Sequence, residues 1–442
     1  MARSSTASER ASPTPNTHMT SGRLASLKGL VYAGGAKAAG ALISVVFSLV
    51  AARILGATEA GYLFLGLTLL FVGSAVFRLG FDAKLTRRYG ADGIGAVANQ
   101  VLSLAITASL VFASLISGAG FLFADQIATV VFAKPDMAST LGYICLALAP
   151  LTLLNTLGFA FQGVRRTVMT VFGQNLGYLM FALLGFAVLG YGGGLSLTSA
   201  QGAIILLVSV LISFVIALAI WLWQPGTQLR PHLSISRPEA ISNLNLWVAM
   251  LMILTVTWSG ILIGGRFVSA ADLAIAAAAQ RVAVLVVFVL LVCDMFVAPQ
   301  YAKLFAAGDL AQMRRIARIS TAAMLAVTIP LVTCLILFSD QVMGLFGNEF
   351  AAAGQVLTIF VIGQTVNVAT GSVGQLLTMT QYEADYRRVT ALAALVTVTL
   401  TLLLAPRFGI IGIALAATIG TITQNVVGYI AVRKRLGFFP GL

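Results

Sequence analysis

Charged side chains are scarce in this sequence. Asp, Glu, Lys and Arg together make up 9% of 442 residues, against about 25% in ordinary soluble domains. That leaves too little polar surface to cover a water-soluble particle of this length. Histidine is almost missing: His18 and His232 are the whole supply. No HExxH stretch and no serine–histidine arrangement can be drawn, so histidine chemistry has almost no basis. There is no GxxxxGK[ST] stretch, so ATP hydrolysis by this chain is not expected. The three cysteines, Cys145, Cys293 and Cys334, fall inside apolar runs without metal-ligand spacing and read as small buried apolar residues. No metal and no cofactor are expected. Residues 1–28 are rich in Ser, Thr and Pro and lack the apolar centre of a cleavable signal. They read as a disordered cytoplasmic tail.

What is abundant is apolar sequence, 59% of the chain. A membrane passage needs about twenty mostly apolar residues. Candidates lie near 30–52, 60–80, 100–124, 139–161, 168–190, 202–223, 243–265, 273–299, 316–338, 354–379, 388–405 and 409–431. The expected fold is an all-α integral membrane protein of about twelve helices. The domains expected are an amino-terminal six-helix lobe over 29–223, a proline-bearing cytoplasmic linker over 224–241, a second six-helix lobe over 242–432 and a short cytoplasmic tail over 433–442. The net charge of +13 could suggest nucleic acid, but such a partner needs charge on a folded polar surface. Here the basic residues sit between apolar runs. With the amino terminus inside, twenty-one of the 27 Lys and Arg fall on the inner side. Four fall outside, Arg53, Lys134, Arg266 and Arg407, and Lys37 and Arg281 lie within spans. That bias follows the positive-inside rule, with both termini cytoplasmic.

The halves look alike. Arg53-Ile-Leu-Gly-Ala-Thr-Glu59 follows the first span of one, and Arg266-Phe-Val-Ser-Ala-Ala-Asp272 follows the first span of the other. Asp82 and Asp294 come 23 and 22 positions after those acids. Gly192-Gly193-Gly194 and Phe408-Gly409-Ile410-Ile411-Gly412 open the last hairpins. Two repeats of even span number would be related by an axis along the membrane normal, as in transporters whose halves rock about a midplane site.

Arg53 to Tyr62, then Leu79-Gly80-Phe81-Asp82-Ala83, resembles the polysaccharide transporter (O-antigen flippase-like) family. So do Ala279-Gln280-Arg281, Pro299 to Phe305, Leu345-Phe346-Gly347-Asn348-Glu349-Phe350 and the Phe408 hairpin. The resemblance implies the multidrug/oligosaccharidyl-lipid/polysaccharide exporter fold, two six-helix lobes around a central cavity. It implies a substrate as well: a glycan on a polyprenyl diphosphate, turned from the cytoplasmic to the outer leaflet of a bacterial inner membrane, with membrane lipid and polysaccharide polymerase machinery as partners. The oligomeric state stays open. A multidrug exporter of the same fold is the nearest alternative. A membrane-embedded glycan polymerase or ligase is another, although the short outer loops argue against it. A passive scramblase is a third.

Charges inside spans are costly and usually face a cavity or a partner. Arg281 is the first candidate for holding the diphosphate, since arginine binds phosphate oxygens with two parallel bonds; pairing with Asp272 or Asp294 is its alternative. Lys37, among small residues, could meet the same anion or snorkel to the interface. Arg53 and Arg266 could receive the anion outside or anchor at the interface, and Arg78 could attract it from inside. Asp82 and Asp294 are candidates for proton or sodium coupling, or for a gate closed by pairing with Arg78 or Lys303. Gln162, Gln174, Asn175, Gln364, Asn367 and Gln375 could meet sugar hydroxyls, because amides both donate and accept. Helix–helix bonding is the alternative for each.

Overall fold

The computed structural model describes residues 17–192, 197–230 and 237–441, with side chains for 35, 39–190, 197–230, 237 and 239–441. The side chain of Lys37, residues 1–16 of the expected tail, Gly193, Gly194 and His232 lie outside the described residues. Among those described, the chain is helical and holds no strand. The helices are α1 (Thr17–Phe77), α2 (Phe81–Asp92), α3 (Ala96–Leu122), α4 (Ala138–Gly163), α5 (Thr167–Gly190) and α6 (Ser199–Leu222), followed by α7 (Arg237–Gly264), α8 (Ala270–Ala306), α9 (Leu310–Leu337), α10 (Gly354–Ala369), α11 (Val373–Met379) and α12 (Glu383–Leu436). Among the described residues, ten segments are long and apolar enough to cross a membrane. Large apolar side chains such as Leu115, Leu122 and Leu337 remain exposed on their outer faces. Water does not tolerate such a surface on this scale, whereas lipid does. The chain is a multi-pass membrane protein.

Two of the helices double back. α1 turns at Gly56, whose φ of 74° lies in the left-handed region that a residue without Cβ enters freely. The turn is sharp enough for one side chain, Arg281, to touch both Ser48 and Phe64. Those two are sixteen residues apart, about 24 Å on a straight helix. α12 turns at Gly409, φ 57°. There Gly412 lies against the Leu404 carbonyl, a contact no straight helix allows across eight residues. The spans expected over 30–52 and 60–80, and over 388–405 and 409–431, are therefore the arms of these two bent helices.

Three differences from expectation concern the ends of elements. α1 begins at Thr17, inside the stretch expected to be disordered; the last proline before it is Pro15, and nothing after that interrupts a helix. α7 begins at Arg237 and takes up the end of the expected linker, with Pro238 in its first turn, where a missing N–H costs nothing. α12 runs on to Leu436, and the tail then folds back. There the Thr321 hydroxyl donates to the Pro440 carbonyl at 3.2 Å, and Phe439 stacks on Tyr429 at 4.8 Å. The polar helix α2, unforeseen from hydropathy, buries Phe81, Leu85 and Tyr89 on one side.

α1 to α6 form one group and α7 to α12 the other, and α1 packs along α8 between them. The approach is close because α8 offers small residues: Ala274 and Ala276 to Ala279 are all buried. Facing them, a Cβ on Gly61 would run into the Ala270 carbonyl. Small side chains at a membrane helix crossing let backbones approach and gain dispersion energy.

Candidate functional site

That crossing holds Arg281 between the lobes. Its Nη1 donates to Ser48 Oγ at 3.0 Å, and its guanidinium carbon lies 4.4 Å from the centre of the Phe64 ring. Ser48 in turn donates to the Ser44 carbonyl at 2.7 Å, which aims its lone pair at the arginine. The Tyr178 side chain is also beside the guanidinium. Arg281, Ser48, Ser44 and Tyr178 line a cavity of about 440 Å³ between α1, α5, α7 and α8. Gln174 and Asn175 reach it from a π-helical turn, Phe172–Leu176, inside α5. Such a widened turn inserts one residue and redirects its neighbours. Gln174 also donates to Gln162 at 3.0 Å. Phe71 and Trp258, with ring centres 5.3 Å apart, close the wall across the lobes.

Among the described residues Arg281 is the charged side chain of this cavity, and no acid pairs with it. The alternative of pairing with Asp272 or Asp294 is not formed here. Asp272 accepts from the Ser269 hydroxyl at 2.8 Å, and Asp294 belongs to a second cavity. A guanidinium has five N–H donors, and Ser48 takes one. What remains is a fork of donors in an otherwise neutral, aromatic-walled space, suited to an anion.

The second cavity, about 510 Å³, lies within the second lobe. It is lined by Gln280 and Asp294 of α8, Gln364 and Asn367 of α10, Gln375 of α11 and Tyr386, Gln424 and Asn425 of α12. Asn367 donates to Gln364 at 3.3 Å. Val284 and Leu291 line both cavities.

Arg78 and Asp82 form an ion pair at 2.8 Å one helical turn apart. Arg78 also donates to Ser74 at 3.1 Å and lies 5.2 Å from the Phe159 ring centre. Nearby the lobes touch along one flank: Trp247 Nε1 donates to the Val76 carbonyl at 2.7 Å, and Lys84 meets Glu239 at 3.3 Å. Asp294 makes no ion pair with Lys303.

At the Gly56 end, Arg53 and Arg266 each reach the opposite lobe. Arg53 Nε donates to the Leu345 carbonyl at 2.7 Å, and Arg266 Nη1 donates to the carbonyls of Val130 and Val131, the latter at 2.8 Å. Two further residues complete a clasp that sequence reasoning missed. Lys134 Nζ donates to the Gly265 and Val268 carbonyls at 2.6 and 2.7 Å, and burial pushes its amine below the ordinary lysine range. Glu349 accepts from the Ala57 amide at 2.9 Å. The signal was available: Phe123-Ala-Asp-Gln126 and Phe338-Ser-Asp-Gln341 stand 215 residues apart. Val130 and Leu345, and Lys134 and Glu349, have that same separation. The two-fold pattern of the repeats thus reappears in the contacts.

The profile of the family described as polysaccharide biosynthesis protein matches residues 26–305. The chain belongs to that family. A relative, the "probable low-salt glycan biosynthesis flippase Agl15" of Haloferax volcanii, is 26% identical over 242 residues, 53% of this chain and 50% of the relative. The match therefore spans about half the length of that protein. Among solved structures, the Lipid II flippase MurJ in an inward closed conformation superposes with a TM-score of 0.72 at 14% identity, covering 91% of this chain and 87% of that one. A multidrug resistance MATE family transporter of the MOP superfamily, inward-facing, gives 0.71 at 13% identity, covering 90% of this chain and 94% of that one. At such identities the likeness shows the fold, and this member of the family has the MATE and MurJ type of transporter fold.

Proposed function

We propose that this protein is a flippase for polyprenyl-diphosphate-linked oligosaccharide, carrying it from the cytoplasmic to the outer leaflet of a bacterial inner membrane by alternating access. The observation that carries the reading is Arg281: a guanidinium in a cavity between lobes, with no acid paired to it among the described residues. Family membership and the name of the haloarchaeal relative support the glycan part of the substrate. Counting each arm of α1 and α12 as a passage makes twelve, with both termini on the cytoplasmic side, where the basic residues collect.

In this reading the diphosphate meets the free donors of Arg281, the polyprenyl tail stays in lipid, and the clasp at the Gly56 end keeps the outer exit shut. Release outside needs Arg53, Arg266, Lys134 and Glu349 to let go of the main chain opposite. A substrate drives that change only by binding the two states unequally.

The test uses purified protein in sealed vesicles with a lipid-linked oligosaccharide, followed by its accessibility to a lectin outside. Arg281→Ala should insert and fold yet lose transport by about a hundredfold, the loss expected for a buried charge-assisted contact of about 3 kcal/mol. Arg281→Lys should keep part of it. A normal rate in Arg281→Ala overturns the reading.

A further inference from the structure

The role of the second cavity is not set by the anion site, and its lining is rich in amide side chains. Three of its buried polar atoms make no well-aligned hydrogen bond among the described residues, Gln280 Oε1, Asp294 Oδ1 and Ser372 Oγ, with Ser372 and Gln375 close enough to the Asp294 carboxylate to interact with it loosely. Gln280 and Ser372 are 6% and 4% exposed. Buried polar groups are nearly always satisfied, so the open Gln280 oxygen and the loosely held Asp294 carboxylate leave room in this space for a ligand that supplies donors. The space is also long. Gln280 and Asp294 both lie on α8 and are fourteen residues apart, about 21 Å along the helix.

We propose that this cavity is a sugar-binding cleft, which takes the glycan of the same substrate whose diphosphate rests on Arg281. Gln280 and Arg281 are adjacent, and Val284 and Leu291 wall both cavities. A headgroup at Arg281 therefore has its first sugars next to the cleft. The lining suits hydroxyls. Gln364, Asn367 and Gln424 both donate and accept, Asp294 accepts from paired hydroxyls, and the Tyr386 ring gives a flat apolar face. A transition metal is a poor match, because no cluster of three acidic, Cys or His ligands occurs among the described residues. An apolar drug would leave the open oxygens unsatisfied.

This rests on the flippase reading, and the experiment separates the two. Binding of a lipid-linked oligosaccharide and of the same polyprenyl diphosphate without sugar is measured on the purified full chain. Asn367→Ala and Asp294→Asn should each weaken the glycan-bearing lipid about tenfold and leave the sugar-free lipid unchanged. Arg281→Gln should weaken both. A milder variant guards against misfolding: Thr378 lines the same cleft, and Thr378→Cys, with the native cysteines changed to Ser, should lose reactivity toward N-ethylmaleimide at least tenfold with the glycan-bearing lipid and not with the sugar-free one. If wild type binds neither lipid, the flippase reading itself fails. If it binds both, and the cleft variants weaken both equally or neither, the cleft proposal alone is overturned. The same holds if Asp294→Asn abolishes a sodium or proton dependence of transport while sugar preference is untouched, since the cleft would then hold a cation.

Discussion

At the residue scale, Arg281 is informative because of what it lacks. An arginine inside a membrane bundle costs enough that it normally pairs with an acid or borders water. This one has a serine, a tyrosine and an aromatic face, which orient it without cancelling its charge. The serine should matter less than the arginine. Ser48→Ala removes one of several orienting contacts, and transport should fall by only about threefold to tenfold, in line with about 1 kcal/mol for a single hydrogen bond. An Ser48→Ala loss as large as that of Arg281→Ala would mean that Ser48 itself touches the substrate. Arg78 is the contrasting case. Asp82, one turn away, already neutralises it, so Asp82→Asn should free a cation near the Trp247 flank. Transport should change more in Asp82→Asn than in an Arg78→Met, Asp82→Met double variant, as measured by initial rates in vesicles; equal effects would mean that the pair has no role beyond packing.

At the element scale, two glycines decide how α1 works. Gly56 holds a positive φ with an extended ψ of 170°, a combination essentially confined to glycine, and an alanine there would be strained by about 1 to 3 kcal/mol. Gly61 is different, since its φ is helical and its constraint is the Ala270 carbonyl across the lobe boundary. Gly61→Val should therefore push the lobes apart at the Gly56 end while leaving α1 helical. It should raise the labelling of a cysteine at Ser44, in the central cavity, by a membrane-impermeant reagent from outside, whereas Gly56→Ala should mainly lower the yield of folded protein. Unchanged labelling in a folded Gly61→Val would show that this crossing does not limit opening. The π-helical turn in α5 belongs to this scale too, because it turns Gln174 and Asn175 toward the cavity.

At the scale of the whole molecule, the clasp joins the lobes through side chains that bind main chain. Its two-fold pattern has one asymmetry. Lys134 holds carbonyls, and its counterpart Glu349 holds an amide, each matched to the partial charge at the chain segment it meets. Arg53 and Arg266 are exposed, so each bond is worth about 1 kcal/mol. Arg53→Gln combined with Arg266→Gln should move the population at least about thirtyfold toward an outward-open state, read by the same Ser44 cysteine. Glu349→Lys should act in the same direction by placing a cation against the Ala57 amide. If neither changes accessibility, the clasp is not the gate.

Much of this was legible in the chain. Spans are visible because a lipid-facing helix needs a long apolar run whatever it packs against. Arg281 stands out for the same reason, as an expense in such a run. The Arg78–Asp82 pair is local, one turn apart, and its spacing announces it. Hydropathy could not tell that the first two spans are arms of one bent helix. It reads composition, and the bend rests on one backbone angle at Gly56.

The sequence by itself determined a membrane bundle, its doubled pattern and a cation inside it, because burial of charge in lipid is costly wherever the residue lies. Only the tertiary structure decided that Arg281 is left without an acid among the described residues, that Arg53 reaches a carbonyl 292 residues away, and that the open Gln280 oxygen shares one cleft with Asp294. Those depend on which faces of distant helices meet, and that is set by packing of the whole chain, with no local rule to report it.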